Sequence, residues 1–207
     1  MMKLKICGMR DEKNILAVAA LHPQYMGFIF YPRSPRYVGD DFKVPALPSS
    51  ISRVGVFVND PVSLIMEKVD RYALKYVQLH GGETVAQCKA LRQEGVGVIK
   101  VFSVDDDFDF NQTRPYEEVA DFFLFDTKGK YYGGNATAFD WKVLEQYNQK
   151  VPFFLSGGIG PDNVEAIQAL KGMNIHAIDI NSGVEESPAM KDTQKIGTII
   201  HVLNSIS

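Results

Sequence analysis

Short apolar runs recur along the chain, separated by more polar stretches whose apolar residues lie three and four apart. The runs read as strands at 4–7 (LKIC), 25–30 (YMGFIF), 52–58 (SRVGVFV), 76–80 (YVQLH), 97–103 (GVIKVFS), 121–126 (DFFLFD), 151–156 (VPFFLS) and 176–181 (HAIDIN). Helical spacing marks 11–22, 60–72, 82–95, 138–150, 160–172 and 190–204. Asp60 reads as an N-cap with Pro61 at the first helical position. Eight strand–crossover units predict an α/β fold, a (β/α)8 TIM barrel. An open doubly wound sheet is the rival, but no dinucleotide fingerprint supports it. Two crossovers are short or irregular. After strand 2, residues 34–50 carry Pro35, Pro45 and Pro48, and after strand 5, residues 104–120 are rich in aspartate.

Alternation across each strand sends one parity to the helices and the other into the barrel. The apolar parity belongs against the helices. That leaves Lys5, Cys7, Gln78, His80, Asp126, Asp179 and Asn181 converging inside. Each alone has a plain structural reading, such as an internal Lys–Asp pair or a hydrogen-bonded histidine. Together they are hard to explain as core, because buried polar groups are costly unless paired. Most sit at the C-terminal strand ends, where barrel enzymes keep their chemistry. Cys7 is therefore expected at the open mouth. Cys88 falls on an apolar helix stripe with Val85 and Leu91 and reads as structural.

Two glycine signals follow the last strands. Gly157 and Gly158 come directly after strand 7, and Ser182 and Gly183 after strand 8. Backbone N–H groups in such loops can cradle an anion, and this fold seats phosphate there. Either loop alone reads as a tight turn. A third glycine stretch, 130–141, could order over the mouth on ligand binding. Arg33 and Arg36, in YPRSPRYV, stand near the same rim, and an arginine fork suits a carboxylate.

Composition narrows the setting. With 207 residues, 45% hydrophobic, the chain can form one domain with a substantial core, taken here as 1–207. A net charge of −3 without a basic block points away from nucleic acid and anionic membranes. No apolar stretch is long enough to cross a bilayer and no secretory signal is visible, which suggests a cytoplasmic protein. Two cysteines give neither a disulfide framework nor a zinc site of ordinary spacing, so no metal or other cofactor is expected.

The stretches KICGMR, GFIFYPRSPRYV, VGVFVN, VQLHGGE, GGNATAFDW, FLSGGI and DINSGVEESPAMKD, running from residue 3 to about 192, together resemble the phosphoribosylanthranilate isomerase family. The resemblance implies an Amadori rearrangement in tryptophan biosynthesis on a small phosphoribosyl substrate, by a monomer or homodimer. It implies Cys7 as general base, Asp126 as general acid and Arg36 as the holder of the anthranilate carboxylate. It places Gly157, Gly158 and Gly183 at the phosphate. His80, by its inward position on strand 4, and Ser182, by its place in the loop after strand 8, are taken as further substrate contacts. The chain departs from the family pattern at Asn135–Ala136 and at Ala189. Two alternatives stay open. One is a histidine-pathway isomerase, which works with aspartates on strands 1 and 5, whereas strand 1 here ends in Cys7. The other is a non-catalytic phosphosugar-binding barrel, which has no reason to keep Cys7, Asp126 and Arg36 together.

Overall fold

The computed structural model describes residues 2–127 and 140–206. Eight parallel strands, β1 (Lys3–Ile6), β2 (Tyr25–Ile29), β3 (Ser52–Phe57), β4 (Tyr76–Leu79), β5 (Gly97–Val104), β6 (Phe122–Thr127), β7 (Phe153–Leu155) and β8 (Ile175–Ile180), close a barrel in sequence order. Closure pairs β1 with β8, bringing Lys5 opposite Asp179. Cys7, His80 and Asn181 each lie one residue past a strand end, so the strands deliver them to the C-terminal face. The expected strands all form, with bounds shifted by no more than two residues.

Outward strand residues such as Ile6, Phe28, Phe57, Leu79, Phe125 and Ile180 pack into one cluster with the surrounding crossovers. Burying each such side chain contributes roughly 1.5–3 kcal/mol. The barrel interior is divided along its axis. Tyr25, Val54, Ile99, Val101, Leu124, Phe154 and Ala177 form an apolar base. Above it the lining turns polar, around a small patch of Cys7, Ile29 and Val56.

Among the described residues, four α-helices cover the barrel: α1 (Glu12–Ala19), α2 (Val62–Tyr72), α3 (Val85–Gln93) and α4 (Thr193–Ile206). α3 opens on a capping box between Thr84 and Gln87. α2 corrects the expected cap: Pro61 itself is the N-cap, and Val62 is the first helical residue. The Asp60 carboxylate turns back instead, accepting from the Val58 N–H at 3.4 Å.

Two crossovers expected as α-helices are 3-10 helices, Trp141–Gln146 and Val164–Leu170. Their buried residues explain the tighter winding. Val164, Ile167 and Leu170, like Trp141, Leu144 and Tyr147, are three apart, the repeat of a 3-10 helix. After strand 5 there is likewise only a 3-10 helix, Phe110–Tyr116, and the crossover after strand 2 carries no helix, both as expected. The segment expected as helix from 190 begins instead with β10 (Met190–Lys191), which pairs antiparallel with β9 (Glu185–Ser187).

Candidate active site

β1 sends Lys5 and Cys7 inward. Lys5 is fully buried, its Nζ 2.8 Å from Asp179 Oδ1. Burial pushes the Lys5 ammonium down, yet Asp179 and Cys7 outweigh it and leave Lys5 above its ordinary value. Burial lifts the Asp179 carboxyl, with Lys5 opposing. The Lys5 direction is the one the 2.8 Å contact supports, since that is the geometry of an ionised pair. Cys7 sits beside the pair, 3% exposed. Burial pushes its thiol up, and the pull of Lys5 and Lys191 only partly offsets this. The expected positive neighbour is present, but the resting group is a thiol. The expected open mouth is also narrower: Cys7 lines a pocket while remaining almost wholly buried. Room for the sulfur comes from β2, where a Cβ on Gly27 would stand 2.7 Å from Cys7 Sγ.

Across the pocket, β6 presents Asp126, 4% exposed. Its Oδ1 accepts from the Thr127 N–H at 3.0 Å and the Ser156 hydroxyl at 3.3 Å. Its Oδ2 lies 3.4 Å from Nε2 of His80. The other ring nitrogen, Nδ1, is 3.3 Å from Gln78 Nε2. Cys7, Arg36, His80, Asp126, Asp179 and Asn181 thus line one pocket. A thiol and a carboxyl facing one small space suit paired proton transfer on a single substrate.

Arg36 reaches this pocket because the loop after β2 folds back, with the Val38 N–H donating to the Ile29 carbonyl at 3.0 Å. Its guanidinium is held by Glu185: Nε donates at 2.9 and 3.1 Å, and Nη2 at 2.7 Å. Glu185 also accepts from Lys191 at 2.6 Å, and Lys191 donates to Asn181 Oδ1 at 2.7 Å. Burial lowers Lys191 to about 8 against the pull of Glu185. Burial raises Glu185, but Arg36 and Lys191 outweigh it and leave it below the usual carboxylate range. Sequence reasoning missed Glu185 and Lys191; the SGVE stretch and the basic residue after Met190 were the available signals. It missed the role of Gly8 as well. At φ +74° Gly8 lets Arg36 and Asn181 pass: a Cβ there would meet Arg36 Cδ at 2.8 Å and Asn181 Oδ1 at 2.7 Å. Arg33, by contrast, is exposed to solvent.

The two glycine loops lie side by side, just beyond Ser156 and Asn181, which do line the pocket. Gly157 and Gly158 take φ of +96° and +66°, and a Cβ on Gly157 would run into Thr127. Asn163 ties the first loop, donating to the Gly158 carbonyl and accepting from the Gly160 N–H, both at 2.9 Å. Gly183 packs so closely on Ile159 that any side chain would strike its carbonyl. Ser182 opens a three-residue 3-10 helix, Ser182–Val184. Most of the glycine stretch 130–141, including the departure at Asn135–Ala136, lies outside the described residues.

A family model described as N-(5'phosphoribosyl)anthranilate (PRA) isomerase matches residues 4–202. A curated relative of that name from Phocaeicola vulgatus is 43% identical over 202 residues, 98% of each chain. Among solved structures, phosphoribosyl anthranilate isomerase from Thermotoga maritima superposes with a TM-score of 0.85 at 32% identity, over 99% of this chain and all of that one. Monomers generated from the dimeric Thermotoga maritima enzyme give 0.80 at 30% identity, over 99% of both chains. A phosphoribosyl anthranilate isomerase in complex with reduced 1-(o-carboxyphenylamino)-1-deoxyribulose 5-phosphate gives 0.82 at 31% identity, over 99% of this chain and all of that one.

Proposed function

Because the chain belongs to the N-(5'-phosphoribosyl)anthranilate isomerase family, we propose that Cys7 and Asp126 are the base and acid of its rearrangement. The reaction is the conversion of N-(5-phosphoribosyl)anthranilate to 1-(2-carboxyphenylamino)-1-deoxyribulose 5-phosphate, a step of tryptophan biosynthesis. It is an intramolecular aldose–ketose isomerisation.

In this reading Asp126, carrying a proton, gives it to the ribose ring oxygen. The C1'–O bond breaks, and the anilino nitrogen's lone pair forms the C1'=N bond of a Schiff base. The Cys7 thiolate then takes the proton from C2', leaving an enolamine. Moving the C2' hydroxyl proton to C1' gives the ketone. The enzyme has lent one proton and gained one, so transfer from Cys7 back to Asp126 resets it. Each such proton transfer typically contributes ~10²–10⁴-fold. Lys5 and Lys191 favour the thiolate, and His80 stands against the Asp126 carboxyl. The single observation that carries the reading is that the Cys7 thiol and the Asp126 carboxyl line one pocket.

The two ends of the substrate find opposite charge and free donors. Arg36, oriented by Glu185, is the holder of the anthranilate carboxylate. Gly157, Gly158, Ser182 and Gly183 form the phosphate seat, with His80 contacting the sugar. Among the described residues, the backbone N–H groups of Gly157 and Gly158 donate to no backbone carbonyl outside the helices and strands, which suits an anion. Among those residues, too, no helix is long and apolar enough to cross a membrane, in keeping with a cytoplasmic enzyme. We place the whole chain, 1–207, in one catalytic domain working as a monomer or homodimer. Turnover of phosphoribosylanthranilate by the purified chain, lost on Cys7→Ser and on Asp126→Asn, tests the assignment. Tight phosphate binding without turnover in the wild type would sink it.

A further inference from the structure

The polar upper layer of the barrel contains a buried acceptor that acid–base chemistry leaves unused. Gln78 is 2% exposed and lines the same pocket as Cys7, and among the described residues its Oε1 has no hydrogen-bond partner. An unpaired buried carbonyl is costly unless something else fills the role. The opposite end of the same amide, Nε2, meets His80 Nδ1 at 3.3 Å. An amide nitrogen only donates, so in this arrangement Nδ1 accepts, which puts the His80 ring proton on Nε2, 3.4 Å from Asp126 Oδ2.

Resting on the assignment of Cys7 and Asp126, we infer that Gln78 is a positioning and substrate-binding residue. Its N–H end holds His80 in the tautomer that donates to Asp126, and its carbonyl oxygen accepts a hydroxyl of the substrate's ribose. The choice of ribose follows from charge and place. A carbonyl oxygen repels a carboxylate or a phosphate, and those two ends have Arg36 and the glycine loops. Between them, where Cys7 and Asp126 act, the substrate presents sugar hydroxyls. A glutamate at this position would draw a proton onto Nδ1 and turn the donor end of His80 into a shared one.

Three measurements test this. In wild-type protein, 15N NMR of His80 shows the Nε2–H tautomer; an Nδ1–H tautomer overturns the positioning half. Gln78→Met raises KM for phosphoribosylanthranilate roughly three- to tenfold, the worth of one hydrogen bond. It weakens ribitol 5-phosphate by the same factor and leaves inorganic phosphate binding intact. Unchanged KM overturns the binding half. So does a loss seen with the reduced product analogue but not with ribitol 5-phosphate, which would assign the contact to the anilino nitrogen. Gln78→Glu moves the His80 ring proton onto Nδ1, read by 15N NMR, and lowers kcat more than it raises KM; an unchanged Nε2–H tautomer overturns the positioning half even if the Met variant fails to fold. The acid–base assignment fails separately, through retained turnover in Cys7→Ser or Asp126→Asn, whatever Gln78 variants do.

Discussion

At the level of single residues, the polar lining of the pocket was legible because strand alternation is a strict rule and these residue types are wrong for a core. Cys7, His80, Asp126, Asp179 and Asn181 all line the expected pocket. What stayed hidden works through absence or through distant chain. Gly8 and Gly27 matter for the Cβ they lack, and Glu185 reaches Arg36 across 149 residues of sequence. Asp126→Asn keeps the shape and removes the acid, so kcat should fall by ~10²-fold or more with affinity for the reduced product analogue nearly unchanged. Near-normal kcat would move the acid elsewhere. The pH profile carries a second test. The working form, thiolate with protonated carboxyl, has the same proton count as the resting thiol with carboxylate. The rate should therefore fall on both sides of neutral pH, in acid when the carboxyl and thiol both hold protons and in base when the thiol's own proton is lost. Burial pushes that thiol up despite Lys5. Loss of the Lys191 ammonium, brought to about 8, bears on kcat/KM as well, so the thiol is read directly: Cys7 alkylation should gain rate only above the ordinary cysteine range, and a gain complete near neutrality would contradict the resting thiol. Arg36→Met should weaken binding of the anthranilate end by roughly 2–5 kcal/mol if the pair is desolvated. Inorganic phosphate should bind as before; an equal loss there would place Arg36 at the other end of the substrate.

Among the elements, the strands were easier to read than the crossovers. A seven-residue segment such as Val164–Leu170 has apolar residues at i, i+3 and i+6, a pattern that fits 3.6 and 3.0 residues per turn almost equally. Over so short a span only packing decides, and packing is not written locally. The hairpin of β9 and β10 was missed for a related reason: strands of three and two residues are too short to show alternation. The loops after β7 and β8 were read as a phosphate seat, and their mutual packing gives a way to test them. Gly183 has ordinary backbone φ but no space for a side chain, since Ile159's carbonyl stands where a Cβ would go. Gly183→Ala should push the loops apart, an overpacking cost of about 1–3 kcal/mol. Inorganic phosphate affinity should drop by about tenfold while far-ultraviolet circular dichroism stays native. A lower Tm with unchanged phosphate binding would leave the glycine a packing role and remove it from the phosphate site.

For the molecule as a whole, the eightfold repeat was plain because each strand is a dense apolar run, whereas the division of the barrel interior into an apolar base and a polar mouth emerges only when inward residues are stacked in register. That division predicts how stability responds to acid. At the base, His176 lies with its ring centroid 4.0 Å from that of Phe122, and Nε2 is 2.6 Å from the Tyr25 hydroxyl. Burial there, with a smaller push from Lys3, lowers the His176 pKa to about 4 from its ordinary 6.5. The native barrel thus holds this ring neutral, while the unfolded chain protonates it below its ordinary pKa. Between those two values the unfolded state binds the extra proton, so stability contributed by the neutral ring is present above pH 6.5 and declines as pH falls toward 4. Many carboxyls titrate across the same range, so the wild-type curve alone cannot assign the loss. His176→Gln retains an acceptor for Tyr25 and does not ionise, and comparing the two proteins isolates the histidine. The drop in Tm from pH 7 to about 4.5 should be smaller in the variant by a few degrees, even if its Tm at pH 7 is lower. Parallel Tm curves would mean that His176 keeps its ordinary titration inside the barrel, and that the base is open enough to hydrate a charged ring.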